Sequence, residues 1–291
     1  MKPRLIAVVP TLLTLGNAAC GFGAITFAAK LGPADLTVPA GDSLFASNPS
    51  LVAALLVFLG MLFDMLDGSV ARLTKQTSEL GAQLDSLCDA ITFGTAPAFL
   101  MLQFVSRELA GGAGFSFHPR MLWTIAALYA VCAILRLARF NVETDEDDSH
   151  AEFSGLPSPA AAGAVVAFPF AMPTLKELAD GGDTLTATVA QWLIPAIKTG
   201  LPLVTLAVAC LMVSRIRYPH FFSQLIGDRR SRRHVIQLVF GMAVIFWVHE
   251  LAVPLIFCYF AFASPLKAVW METLGRRLTP PRNTPSPSAK G

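Results

Sequence analysis

Eight stretches of this chain are apolar over lengths comparable with the thickness of a lipid bilayer, and that limits its fold more than any motif does. They run about 5–29, 50–70, 83–105, 120–140, 157–174, 191–213, 235–248 and 250–266. A helix rises about 1.5 Å per residue, so crossing a hydrocarbon core of ~30 Å takes ~20 residues. The last two stretches are short and fit one long bent segment as well as two. With 54% hydrophobic and only 14% charged residues, the apolar character lies in these runs and not in a blended core. The expected fold is all-α: a polytopic membrane bundle of about eight transmembrane helices, six in a core and two at the C-terminal end. Residues 1–270 form its transmembrane unit. Residues 271–291 end in the Pro/Ser-rich run 279–291 and are expected to be a disordered cytoplasmic tail, because such a composition cannot bury a core. Residues 31–49 and 175–190, rich in Gly, Asp and Thr, read as external loops.

The first run follows Lys2 and Arg4 and has to be weighed against a cleaved leader. It is about 25 residues long and is interrupted by Pro10, Gly16 and Asn17, too long and too polar for the apolar stretch of ~7–15 residues in a signal peptide. It is read as a helix, the alternative being a lipoprotein site at Asn17–Cys20. With eight spans, Lys2, Arg4, Arg72, Lys75, Arg136, Arg139, the cluster from Arg215 to Arg233 and the residues from Lys267 onward fall on one side. The positive-inside rule makes that side cytoplasmic and puts both termini there, in an inner (cytoplasmic) membrane. The net charge of +2 then reflects topology. Arg229, Arg230, Arg232 and Arg233 suit anionic lipid headgroups, and no nucleic-acid partner is expected. Five cysteines, at positions 20, 88, 132, 210 and 258, lie in apolar runs without CxxC spacing and read as small buried hydrophobes.

Against this background the stretch FDMLDGSVARLTKQTSELGAQLDSLCDAITFG, residues 63–94, is anomalous. Ionisable side chains inside a membrane are costly and mark function. If the second helix enters near residue 50, Asp64 lies about 21 Å along it, approaching the cytoplasmic interface. Asp67 shares its face, since residues three apart are neighbours on a helix. The chain turns between Thr74 and Gly81 and re-enters, and Asp85 and Asp89, four apart, face one way on the third helix. Four carboxylates can therefore meet at one level, and they cannot do so without compensating charge. Hard oxygen ligands favour Mg²⁺, Mn²⁺ or Ca²⁺, and several carboxylates at this spacing suit two ions bridging a pyrophosphate. Gly68 and Ala71 are small enough for a ligand to approach closely, and Arg72 is placed to pair with phosphate oxygens. A solvated helix end or an ion-coupled transport site would also put carboxylates near an interface. Four of them with an arginine in so short a stretch weigh against both.

The pattern Asp64-x2-Asp67-Gly68-x2-Ala71-Arg72-x8-Gly81-x3-Asp85-x3-Asp89, eight fixed residues over 26 positions, resembles the signature of the CDP-alcohol phosphatidyltransferase family. The resemblance implies an integral-membrane enzyme that moves a phosphatidyl group from CDP-diacylglycerol to an alcohol and releases CMP, with a pair of divalent ions, Mn²⁺ or Mg²⁺. It makes Asp64, Asp67 and Asp85 metal ligands and Asp89 a ligand and candidate base. It also makes Gly68, Ala71 and Arg72 contacts of the CDP-diacylglycerol head, and Gly81 a close-packing glycine. The chemistry of the residues agrees, since an alcohol needs somewhere to put its proton and Asp89 stands near the metal ligands. No Ser or His nucleophile lies inside the signature, so single displacement is expected.

PTLLTLGNAACGF (10–22), FGTAPAF (93–99), LRLARFN (135–141), FSGLPSPAAAG (153–163) and SRIRYPHF (214–221) resemble the bacterial phosphatidylserine synthase branch of that family. Thr11 stands where many relatives carry Asn. The branch implies L-serine as acceptor and phosphatidylserine as product; sister branches use glycerol 3-phosphate, inositol phosphate or choline. A homodimer among membrane lipids is the family expectation. Arg136 and Arg139 share a helix face at the level of the aspartates. Arginine's planar fork suits a carboxylate, so with Asn141 they form the expected serine pocket. Snorkelling to lipid phosphates, or support for Arg72 on the pyrophosphate, are the other readings of these arginines.

Overall fold

The computed structural model describes residues 3–31, 48–74, 79–110, 115–143, 155–216 and 251–278, and those residues are helical apart from short turns, with no strand among them. In chain order the elements are α1 (Pro3–Ala29), α2 (Pro49–Thr74), α3 (Glu79–Asp89), α4 (Ala96–Gln103), α5 (Pro119–Glu143), α6 (Ser158–Gly181), α7 (Thr184–Val213) and α8 (Ala252–Leu278). A π-helical segment, Ala90–Thr95, joins α3 to α4, and a second, Phe104–Glu108, follows α4, so residues 79–108 run as one continuous rod.

Six helices among the described residues are long and apolar enough to cross a membrane: Pro10–Ala29, Pro49–Val70, Leu80–Arg107, Pro119–Val142, Ser158–Gly181 and Thr184–Val213. The chain is thus an integral, multi-pass membrane helix bundle. The expected count of eight divides as follows. The six core spans are present, the stretch 235–248 lies outside the described residues, and the last is the apolar half of α8, Ala252–Leu266. Helix α8 continues to Leu278, past the boundary at 270, and residues 279–291 lie outside those described.

The external loop expected over 175–190 is corrected. Helix α6 continues to Gly181, α7 begins at Thr184, and only Gly182 and Asp183 separate them. Gly, Asp and Thr here punctuate a tight helix–helix turn, and Lys176, Glu177 and Asp180 extend α6 beyond its apolar run. Of the cysteines, all free, Cys20, Cys88 and Cys132 are buried as expected, whereas Cys258 is half-buried and Cys210 is exposed. Leu12, Phe22, Trp123 and Trp192 are exposed and give the bundle an apolar outer surface, as lipid requires.

Small residues set the packing, as they must where lipid leaves close van der Waals contact to hold helices together. Ala24, Ala28, Ala53 and Ala54 are fully buried where α1 lies along α2. The π segment crosses this pair through Thr92. A Cβ on Gly21 would stand 2.8 Å from Thr92 Cα, and one on Gly60 would stand 2.5 Å from Thr92 Cγ2. Two glycines therefore make the slot in which the third span meets the first two. Tyr129 of α5, fully buried, donates to the Phe93 carbonyl of the same segment at 3.1 Å. Helix α6 is the central strut, packed against α2, α7 and α8. Its entry is fixed by Gly155, whose φ of +91° and whose backbone, within 2.5 Å of Met212 O for any added Cβ, exclude other residues. Gly155 N donates to Ile216 O at 2.9 Å and Leu156 N to Leu211 O at 3.1 Å, which pins the start of α6 to the end of α7.

Candidate active site

Asp64 and Asp67 fall on one face of α2 near its end, and Asp85 faces them from α3. One carboxylate oxygen from each of Asp64, Asp67 and Asp85 can be chosen so that all three lie within 4.8 Å of one another. Asp67 is only 5% exposed. Asp85 Oδ1 is buried and has no hydrogen-bond donor. Three converging carboxylates, hard oxygen donors with an unpartnered buried oxygen among them, fit a divalent cation and would repel one another without it.

Asp89, one helical turn beyond Asp85 and 8% exposed, is not part of that three-residue group, although its charge interacts with all three. It is held from the opposite side, where Asn17 Nδ2 of α1 donates to Asp89 Oδ1 at 2.9 Å. Asp67 is held in the same way, Thr14 Oγ1 of α1 donating to its Oδ2 at 2.8 Å. Each carboxylate thus has one oxygen turned to α1.

The remaining residues of the signature surround this group. Gly68 is exposed and has nothing within 4 Å of where a Cβ would stand, so the space beside the carboxylates is open on that side. Ala71 and Arg72 continue α2 towards its end, with side chains outside the described residues. Gly81 lies half-buried on the first turns of α3.

Helix α5 brings the expected pocket residues alongside. Arg136 Nη1 donates to Ser158 Oγ at 2.8 Å, and its Nε is buried without an acceptor. Its charge also interacts with Asp89. Arg139 Nη1 donates to Val213 O at 3.2 Å, where the positive charge suits the C-terminal end of α7. Asn141 and Ser86 exchange hydrogen bonds, Nδ2 to Oγ at 3.0 Å and Oγ to Oδ1 at 3.1 Å, joining α5 to the helix that carries Asp85 and Asp89. The two arginines therefore share a helix face but engage different elements.

Thr14, Asn17 and Ser158 join the site although none belongs to the sequence signature. A signal was present. Thr14 and Asn17 are polar residues three apart in an otherwise apolar span, where a buried polar group needs a partner.

A family model described as CDP-alcohol phosphatidyltransferase matches residues 7–263. Among curated proteins, the "CDP-diacylglycerol--serine O-phosphatidyltransferase" of Helicobacter pylori (strain ATCC 700392 / 26695) is 36% identical over 176 residues, 60% of this chain and 64% of that protein. The protein of the same description from Bacillus subtilis (strain 168) is 29% identical over 225 residues, 77% of this chain and 97% of its own length. That from Mycobacterium tuberculosis (strain ATCC 25618 / H37Rv) is 33% identical over 161 residues, 54% of this chain and 47% of its own. The match thus spans less than two thirds of the Helicobacter pylori relative.

Proposed function

Because the chain belongs to the CDP-alcohol phosphatidyltransferase family, we propose that it transfers the phosphatidyl group of CDP-diacylglycerol to the hydroxyl of L-serine, giving phosphatidylserine and CMP. The observation that carries this reading is the convergence of Asp64, Asp67 and Asp85 within 4.8 Å, with Asp89 one turn further on the same helix. Asp64, Asp67 and Asp85 would hold the divalent metal, with Asp89 at its edge, and two ions, Mn²⁺ or Mg²⁺, suit a pyrophosphate. When bound, the metal supplies Lewis-acid stabilisation of the charge on the departing CMP.

The chain's own residues do the rest. The open space at Gly68, with Ala71 next on that helix, admits the CDP head, and Arg72 pairs with its phosphate oxygens. Gly81 lets α3 approach. The serine hydroxyl attacks the phosphorus that bears the diacylglycerol; a P–O bond forms there as the bond to the bridging oxygen of CMP breaks. Asp89 accepts the hydroxyl proton on the oxygen that Asn17 leaves uncovered. Arg136 is the first candidate for the serine carboxylate, since a carboxylate oxygen would satisfy its unpartnered Nε. Arg139 and Asn141, on α5 and anchored to Val213 of α7 and Ser86 of α3, complete the pocket. The site faces the cytoplasm, with both termini on that side of an inner membrane. The enzyme works among membrane lipids as a homodimer and has no nucleic-acid partner.

The test is CMP release by purified protein given CDP-diacylglycerol, Mn²⁺ or Mg²⁺ and, one at a time, serine, glycerol 3-phosphate, inositol phosphate and choline. Serine-dependent CMP and labelled phosphatidylserine are expected. Release with another acceptor alone moves the reading to a sister branch, and ion flux without CMP replaces it with transport.

A further inference from the structure

Two donors on α1 hold two carboxylates that belong to different helices. Thr14 and Asn17 are three residues apart and share a face of α1; both are buried, at 6% and 0% exposure. Thr14 reaches Asp67 on α2 and Asn17 reaches Asp89 on α3. The Thr14 hydroxyl carries one proton, and of its two neighbouring acceptors, Pro10 O at 3.0 Å and Asp67 Oδ2 at 2.8 Å, the carboxylate is nearer, and once ionised by a bound cation it is the stronger.

Asn17 is held at both its backbone and its side chain. Its backbone carbonyl accepts from Thr92 Oγ1 at 2.9 Å. Its Oδ1 lies 2.9 Å from where a Cβ on Gly60 would stand, and that oxygen is buried without a donor. With Asp89 ionised, as metal ligation and proton acceptance require, the reversed amide would set Oδ1 against the carboxylate. A side chain that leaves its own acceptor unsatisfied in order to present its NH₂ is placed for what it holds.

We infer that α1 is the frame of the active site. Thr14 is a positioning residue that fixes which oxygen of Asp67 is offered to the metal, and Asn17 is one that fixes which oxygen of Asp89 is offered to the reacting hydroxyl. The two act chiefly on different quantities: Thr14 on metal affinity, because Asp67 is in the three-carboxylate group, and Asn17 on rate, because Asp89 is the proposed proton acceptor.

This inference rests on the carboxylates being a metal site, and the experiment separates it from the transferase reading by measuring Mn²⁺ binding directly. Full-length protein in lipid nanodiscs is titrated with Mn²⁺ and free Mn²⁺ is read by electron paramagnetic resonance. CMP release is then followed at varied and at saturating Mn²⁺. Thr14→Val keeps the shape and removes the donor; it weakens Mn²⁺ binding about tenfold, the scale of outer-shell partners, while the rate at saturating Mn²⁺ stays within about threefold. Thr14→Ser restores the donor and binds like the wild type. Asn17→Leu lowers the saturated rate about 100-fold, as for a misplaced base, with Mn²⁺ binding changed less than about threefold. Asn17→Ala, which needs no new space, serves if the leucine variant does not fold. Unchanged Mn²⁺ binding in Thr14→Val, a Thr14→Ser defect equal to that of Thr14→Val, or equal loss of binding and rate in both variants overturns the inference. If wild-type protein binds Mn²⁺ with the expected Thr14 dependence but releases no CMP with any alcohol, the metal frame stands and the transferase reading falls.

Discussion

Where α1, α2 and α3 cross, negative charge is gathered by short-range sequence: two helices consecutive in the chain present Asp64, Asp67, Asp85 and Asp89 at helical spacings, and glycines at 21 and 60 let the rods approach. Beside them, on α5, positive charge is gathered the other way. Arg136 is held by the first residue of α6 and Arg139 by the last residue of α7, and Gly155 ties those two helix ends together. The anionic region is locally encoded and braced by α1; the cationic region exists only when three distant segments have docked. Asn141 links the two through Ser86. On the proposed function, the contrast separates carboxylates fixed by a signature from an acceptor pocket that neighbouring helices can reshape.

The sharpest way to break this contrast is to remove charge from the anionic region alone. Asp64→Asn, Asp67→Asn and Asp85→Asn should each lower metal-dependent CMP release by at least ~100-fold, more than an outer-shell change does, while helicity by circular dichroism and membrane insertion remain. Chelation by EDTA should have the same effect on wild-type protein and be reversed by Mn²⁺. Near-normal turnover in any of the three variants would mean that the carboxylates are not the metal site.

What could be read in advance follows the same divide. Helical periodicity is local, so apolar runs gave the six spans, and spacings of three and four put each pair of aspartates on one face. The braces were not legible because they are long-range: Thr14 meets Asp67 across 53 positions and Asn17 meets Asp89 across 72. Arg139 meets Val213 across 74, and no periodicity announces that the end of α7 would claim an arginine expected to face serine. The turn at 182–183 escapes a reading by composition for a different reason. Gly, Asp and Thr read as loop by composition, but helix ends extend past the apolar core into the interface, and polar residues there are helical.

A second test compares how the two regions are assembled. Gly155→Ala meets both a left-handed φ of +91° and the Met212 carbonyl at 2.5 Å, so it should cost ~2 kcal/mol or more. The expected readout is a lowered midpoint of thermal unfolding in detergent, with a raised serine requirement and little change in Mn²⁺ binding. A variant that instead loses Mn²⁺ binding would show that the cationic end supports the carboxylates, contrary to the division drawn here.

Within the cationic region, Arg136→Lys keeps the charge and loses the fork. It should raise the serine concentration needed for half-maximal rate about tenfold, ~1.4 kcal/mol, and leave the CDP-diacylglycerol requirement within about twofold. A rise in the nucleotide-lipid requirement instead would make Arg136 a helper of Arg72 on the pyrophosphate.

The smallest expected effect distinguishes the two arginines from each other. Arg139 already spends a donor on Val213 O, at the end of α7, where a lysine ammonium can donate equally well and still complement the helix terminus. Arg139→Lys should therefore leave thermal stability nearly unchanged and raise the serine requirement no more than about threefold, a loss of ~0.6 kcal/mol. The comparison is between separate titrations of serine in the two lysine variants under identical Mn²⁺. A larger shift for Arg139 than for Arg136 would reverse their order. It would mean that the bond to Val213 opens when serine enters, so that the fork of Arg139, and not the unpartnered Nε of Arg136, meets the carboxylate.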